Sequence, residues 1–317
     1  MPGCSKCGKP AVIKYAVEPR YLCQKHFIQY FERKVFHAIR AHGLLEKGEK
    51  VAVAASGGKD SLSVLSLLVR LARKRNDALP TAIAVDEGIH GYRDEALEDL
   101  KRYCSGNGVE LKVFSYREEF GASLDEMLAA ARAKKVPLKS CSICGVLRRY
   151  LLNKKPRELG FDKLVTGHNL DDEAQTFLLN LLRGDVWRSA RLGPKTGVAE
   201  ECGFVQRVKP LYFCTERETA TYAFLKGFKQ SSAECPNTED AYRQDLKAML
   251  NGLESKYPGT KATLLRSGLE FMALARDSVK EKRLVVSHCS QCGEPSAGAQ
   301  CKACQVLSMI GLVKNAS

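Results

Sequence analysis

Residues 51–65 read VAVAASGGKDSLSVL: a run of small apolar residues breaks into two glycines, a lysine and an aspartate, then resumes as an apolar helical pattern. A strand that feeds such a loop and then a helix leaves several backbone N–H groups unpaired beside the positive helix end, which makes a site for an anion. Gly57 and Gly58 let the backbone come within hydrogen-bond reach of phosphate oxygens, where a Cβ would intrude. Lys59 adds a point charge, and Ser56 and Ser61 add hydroxyl donors. The stretch departs from the Walker pattern G-x-x-x-x-G-K-S/T, because its glycines are adjacent and aspartate follows the lysine, so a motor-type NTPase is not expected.

Outward from this loop, apolar strands alternate with amphipathic helices, the pattern of an α/β fold with a parallel sheet and crossover helices. Strands are expected at 51–55, 81–85, 111–115 and 163–166, and helices at 60–72, 93–103 and 171–182. Ligands of such sheets sit at the carboxyl ends of the strands. SGGKDS (56–61), DEGIHGYR (86–93) and TGHNLDDEA (166–174) all fall there. In the last of these, Gly167 permits close backbone approach to a nucleotide, and Asp171 and Asp172 open a helix where acidic residues are favoured or bind metal. His168 reads as a satisfied structural histidine rather than a general base. After Pro210 the pattern turns helical, beginning with CTERETATYAFLKGF, where Thr215 and Glu218 have capping-box spacing.

With 317 residues, 44% of them hydrophobic, the chain can bury one substantial core plus small appendages. No apolar run is long enough to span a membrane and MPGCSKCGKP has no apolar signal region, so the protein is expected in the cytoplasm with no membrane contact. In that compartment thirteen cysteines point to metal ligation or catalysis rather than to disulfides. The net charge of +14 attracts a polyanion, and between Arg132 and Arg157 nine Lys/Arg occur with no acidic residue. Such a block around a cysteine pair reads as a contact surface for phosphates.

Seven cysteines and one histidine form two matched sets. Cys4-x2-Cys7 is followed after fifteen residues by Cys23-x2-His26, and Cys289-x2-Cys292 is followed after eight by Cys301-x2-Cys304. Two knuckles complete four ligands with no open position, so each set is expected to hold a structural zinc ion. Six cysteines remain. Cys104, Cys202 and Cys214 have no partner spacing and read as ordinary core or surface residues. Cys141 and Cys144, in KSCSICGVLRRY, sit beside a basic run expected to depress a thiol pKa. Cys235, in SSAECPNTED, is a third candidate ligand. Three cysteines would leave one iron of a four-iron cluster without a protein ligand, and an open metal position is a catalytic one. A dithiol that carries a persulfide without metal, and a third structural metal site, are the other readings of this triad.

The motif S-G-G-x-D-S is the pyrophosphate loop of N-type ATP pyrophosphatases, which the stretch resembles. Such enzymes cleave ATP between the α and β phosphates to adenylate a substrate. The order CxxC…CxxH, SGGKDS, CSICG, TGHNLDDEA, AECPN and CxxC…CxxC covers nearly the whole chain and resembles the tRNA 2-thiouridine synthases. Two branches share that frame, one acting on the wobble uridine and one on the T-loop uridine. VDEGIHGYRDEAL, CGVLRRYLL and NLLRGD look like the cytosolic wobble branch; ECPN and the helix capped at TERE look more like the T-loop branch, whose members tend to have lysine where Arg148 stands. The resemblance implies a PP-loop α/β domain at 31–210, a helical extension at 211–285, an N-terminal zinc finger at 1–30 and a C-terminal zinc ribbon at 286–317. It implies ATP with Mg2+ at Ala54, Ser56, Gly57, Gly58, Lys59, Asp60, Ser61, Val85, Gly167 and Asp172, with Asp60 and Asp172 managing magnesium or phosphate charge. It further implies a [4Fe-4S] cluster on Cys141, Cys144 and Cys235, two zinc ions, tRNA and a ubiquitin-like sulfur carrier protein as partners, and a homodimer. The rival readings are a non-catalytic zinc-ribbon scaffold that binds RNA, and a sister pyrophosphatase that activates tRNA for amine attack, a chemistry with no need of the triad.

Overall fold

The computed structural model describes residues 2–15, 20–196, 203–228, 235–237, 241–280 and 287–312. Cys202 and the flanks of the Cys235 segment lie outside them. In chain order the elements are β1 (Ile13–Tyr15), β2 (Arg20–Leu22), α1 (Gln24–Ala41), β3 (Val51–Ala54), α2 (Lys59–Arg75), β4 (Thr81–Asp86), α3 (Asp94–Asn107), β5 (Leu111–Ser115), α4 (Tyr116–Phe120), α5 (Leu124–Ala133) and α6 (Ser140–Glu158). There follow β6 (Lys163–Val165), α7 (Leu170–Leu182), α8 (Val186–Ala190), β7 (Lys195–Thr196), β8 (Gln206–Val208), α9 (Glu216–Leu225), α10 (Ala241–Lys256), α11 (Thr260–Lys280), β9 (Ser287–His288), β10 (Pro295–Ser296) and α12 (Lys302–Ile310).

The central sheet has the order β5-β4-β3-β6-β8-β7. Its first five strands run parallel and β7 pairs antiparallel to β8. Alternation along the strands divides the core between two faces. Val53, Ala82, Ala84, Val165 and Val208 bury against Phe31 and Val35 of α1 and Leu62 and Leu65 of α2. Ala52, Ile83 and Leu164 face the other way, towards Leu152 of α6. The four expected strands are present, and the structure adds β7 and β8 at the edge.

From β3 the chain moves outward through β4 to β5, then returns to place β6 on the other side of β3. The strand order therefore reverses between β3 and β6, and at such a switch point the loops after the two strands part to leave a ligand crevice. Those loops are 55–58 and 166–169, the two segments that carry SGGKDS and TGHN.

Candidate active site and metal centres

The loop after β3 is held by its own hydroxyls. Ser61 Oγ donates to the Gly58 carbonyl at 2.9 Å and accepts from the Ser56 N–H at 3.2 Å. Gly57 has φ +80°, and a Cβ on it would stand 2.0 Å from the Ala96 carbonyl oxygen of α3, so no other residue fits. Gly167 is close-packed too: a Cβ there would lie 3.0–3.1 Å from the backbone of Asp60 and Ser61. The near approach it permits is that of the β6 loop to the first turn of α2, which brings the two halves of the crevice together.

Lys59 pairs with Asp60 at 2.9 Å and with Glu216 at 3.4 Å. Burial alone would lower its pKa, but these two carboxylates outweigh burial and raise it, so the ammonium stays charged. Burial raises the pKa of Asp60 in spite of Lys59 and of a hydrogen bond from Asn169 Nδ2 at 3.2 Å, and the Asp172 charge pushes the same way. Burial also raises Asp172, with Glu216 adding to it. Three carboxylates thus gather round Lys59, an arrangement that a divalent cation would relieve. Glu216 is absent from the sequence-based set; its helical-cap context, TERE, reads equally well as ordinary capping.

The paired aspartates have separate duties. Asp171 is buried, ion-paired to Lys261, and accepts the Glu216 N–H at 2.7 Å, so it fastens α11 and α9 to α7. Asp172 reaches back to the Asn169 N–H at 3.2 Å in a capping box and lies 4.0 Å from Arg243. His168 Nδ1 is 2.9 Å from Thr166 Oγ1, and desolvation followed by the charges of Lys209, Arg243 and Arg207 lowers its pKa to about 4. It is neutral at physiological pH. Val85 is buried near the end of β4, and Ala54, the last residue of β3, pairs with Ile83 of that strand.

Cys141 and Cys144 lie in the first turn of α6 on one face. Cys141 is exposed and its thiol donates to the Asn237 carbonyl at 3.6 Å; Cys235 packs against the buried cluster that includes Cys144. The three cysteines therefore come to one place from segments about ninety residues apart in sequence. Among the described residues they do not join any group of three donors within 4.8 Å. A four-iron cluster is ligated at separate irons and needs wider spacing. One expectation is corrected: the Cys144 pKa is raised, not depressed, because burial outweighs the nearby Arg148 guanidinium.

Contacts connect this triad to the phosphate loop. Arg148 Nη2 donates to Cys144 Sγ at 3.4 Å, and its Nε is 3.4 Å from the buried Glu87. Glu87 also pairs with Arg93 at 2.9 Å, and Arg93 Nη1 donates to the Ser56 carbonyl at 3.3 Å. Glu87 and Arg93 come from DEGIHGYR, placed at a strand end by the sequence but given no role there.

At the termini, Cys4, Cys7, Cys23 and His26 form one set with all ligand atoms within 4.8 Å of one another, and Cys289, Cys292, Cys301 and Cys304 form another. The Cys7–Cys23 and Cys292–Cys301 sulfur separations are both 3.7 Å. That is close to the edge of about 3.8 Å for a tetrahedron of thiolates at 2.3 Å from one ion. Burial opposes ionisation of Cys289, yet backbone N–H donors, Cys301 at 3.2 Å among them, bring its thiol down to about 6. Both sets fit a single metal ion.

Comparison with known proteins gives a consistent picture. The PP-loop domain family matches residues 27–248. A tRNA-5-methyluridine(54) 2-sulfurtransferase of Pyrococcus horikoshii is 37% identical over 95% of this chain and 92% of its own length. A cytoplasmic tRNA 2-thiolation protein 1 of Danio rerio is 39% identical over 96% of this chain and 87% of its own. Among solved structures, the U34-tRNA thiolase NcsA from Methanococcus maripaludis with its [4Fe-4S] cluster superposes with a TM-score of 0.83 at 30% identity, covering 100% of this chain and 99% of that one.

Proposed function

Because the chain belongs to the PP-loop family of tRNA 2-thiolation enzymes, we propose that it activates C2 of a tRNA uridine with ATP and replaces the oxygen by sulfur, with the wobble uridine as its target. One observation supports this reading above others: the Arg93–Glu87–Arg148 chain that joins the phosphate loop to the cysteine triad.

In the first step the uridine O2 attacks the α-phosphorus of ATP, and pyrophosphate leaves. Gly57, Gly58 and Lys59 neutralise the charge that develops on the phosphates, while Asp60 and Asp172, with Glu216 beside them, would hold Mg2+, which when bound supplies further positive charge to the phosphates. In the second step sulfur bonds to C2 and the C2–O bond breaks, with AMP as leaving group. Arg148 keeps positive charge at Cys144 for the incoming anionic sulfur. Cys141, Cys144 and Cys235 would hold a [4Fe-4S] cluster, which when bound supplies an iron position open to exogenous sulfur. Zinc at the two terminal sets, a ubiquitin-like sulfur carrier protein as donor, a homodimeric assembly and a cytoplasmic location complete the proposal. No helix among the described residues is long and apolar enough to cross a membrane.

The names of the matched proteins point both ways, since the Pyrococcus horikoshii enzyme at 37% identity is named for uridine 54 and the Methanococcus maripaludis structure at 30% identity for U34. The segments VDEGIHGYRDEAL, CGVLRRYLL and NLLRGD, which resemble the wobble branch, support the wobble position. Mass spectrometry of tRNA nucleosides, mapped by position, in a strain lacking this protein tests it. Loss of 2-thiouridine at the wobble position is expected; loss confined to the T-loop would reassign the target, and no loss anywhere would end the proposal.

A further inference from the structure

A pair of arginines stands between the two halves of the site and is used by neither step above. Arg149, next to Arg148 on α6, folds its guanidinium over Gly145, where a Cβ would lie 3.3 Å from Nη2 and 3.4 Å from Nη1. Arg207 of β8 donates from Nη2 to the Arg149 carbonyl at 3.2 Å. Its charge is also felt at His168 on the loop after β6, so the pair spans from the cysteine-bearing helix to the crevice. Arg188 of α8 adds positive charge nearby, although its own ion pair with Asp185 at 3.0 Å satisfies it.

Among the described residues no carboxylate forms an ion pair with Arg149 or Arg207. Desolvation of the guanidinium lowers both pKa values, helped at Arg149 by the charges of Arg148 and Arg188 and at Arg207, which falls to about 10, by the charge of Arg149. The Arg207 guanidinium lies against the Arg149 backbone and within reach of the Arg149 charge, and such crowding without a counter-charge is unfavourable in the protein alone, so the arrangement calls for an anion. The Arg149 residue as a whole keeps solvent access although its guanidinium end is packed over Gly145, and Arg207 is half-buried, so a ligand reaches the pair from the Arg149 side. Two planar forks match the tetrahedral oxygens of a phosphate. The phosphates of ATP already have the Ser56–Ser61 loop and Lys59. The acid-free basic block that contains Arg149 continues the positive surface away from that loop, in keeping with a polyanion.

We propose that Arg149 and Arg207 together clamp a single backbone phosphate of the substrate RNA, beside the nucleotide to be modified and between the phosphate loop and Cys144. This rests on tRNA being the substrate. The clamp makes Arg149 and Arg207 positioning residues: they fix the strand so that the splayed-out base enters from one direction.

The test is the salt dependence of binding of unmodified tRNA to the full-length protein, by fluorescence anisotropy, for wild type, R149Q, R207Q and the double variant, with ATP affinity as the control for folding. Release of counterions from one phosphate contributes about 0.7–0.9 to the slope of log K against log salt. Because one phosphate is shared, each single variant and the double should all flatten the slope by roughly that amount. The charge-preserving R149K/R207K double should keep the slope. Unchanged slopes in the Gln variants, or flattening that doubles in the double variant, would overturn the clamp. So would a Lys double that behaves like the Gln one. A wild type that does not bind tRNA would instead bring down the functional reading on which the clamp rests.

Discussion

The two terminal cysteine sets that could each hold a metal ion follow the same two-residue spacing and yet fasten to different halves of the site. Cys23 caps α1, which packs on α2 and α9: Phe31 stacks on Tyr222 at 4.6 Å, Glu32 pairs with Arg70 at 2.7 Å, and Lys34 pairs with Glu218 at 2.8 Å. Helix α2 begins at Lys59 and α9 at Glu216, so the N-terminal set steadies the nucleotide side. Cys289, Cys301 and Cys304 share a buried cluster with Ile143, Cys144 and Leu147 of α6, and Glu294 pairs with Arg157 of the same helix. The C-terminal set steadies the cysteine side. A repeated motif therefore carries two different structural consequences, fixed by which helix each knuckle leans on.

The largest effect should come from the chemistry on the cysteine side: Cys141→Ala is expected to reduce thiolation to below about a thousandth of wild type, with tRNA affinity near normal in anisotropy titrations. Next come the metal sets. Cys304→Ser and Cys23→Ser should each lower Tm by roughly 5–10 °C and release metal measurable by a chromogenic chelator. Their secondary losses should diverge, however, with ATP affinity falling in C23S and iron content after reconstitution falling in C304S; identical losses would break the division argued above. A smaller change is expected for Glu216→Gln, which removes one of the carboxylates holding Lys59. Steady-state pyrophosphate assays should show roughly a tenfold lower kcat/KM for ATP.

The smallest effect concerns pH. With its pKa at about 4, below the ordinary 6.5, His168 is neutral from pH 6 to 8. His168→Asn should therefore leave the shape of the rate profile in that range unchanged. Since the fold disfavours the protonated ring, wild type should lose stability as pH falls from about 6.5 towards 4, and H168N should lose less over the same window in thermal melts.

Much of this was legible in the chain because the signals were local. The strand runs VAVA and TAIAV, the adjacent glycines before Lys59 and the two-residue cysteine spacings each need only a few neighbours to declare themselves. Strand β8 was missed since QRV is three residues long and its central arginine interrupts any apolar run. Glu216 and Arg207 were hidden for a related reason: their significance lies in what the fold brings beside them, Lys59 in one case and Arg149 in the other. The direction of the Cys144 shift also depends on the fold, because a basic sequence neighbourhood says nothing about how deeply a thiol is buried. Asp171 and Asp172 are adjacent in sequence, and only the packing of α11 against α7 separates an anchoring carboxylate from one facing the phosphate loop.

The central claim is that the phosphate loop and the cysteine triad are one active site. The most direct measurement is a reconstituted reaction with ATP, unmodified tRNA and a sulfide source under anaerobic conditions, in which pyrophosphate and 2-thiouridine are quantified from the same samples. Equal amounts of the two products, with both lost in Asp60→Asn and only 2-thiouridine lost in Cys141→Ala, are predicted. Formation of 2-thiouridine without ATP, or undiminished 2-thiouridine in C141A, would contradict the account.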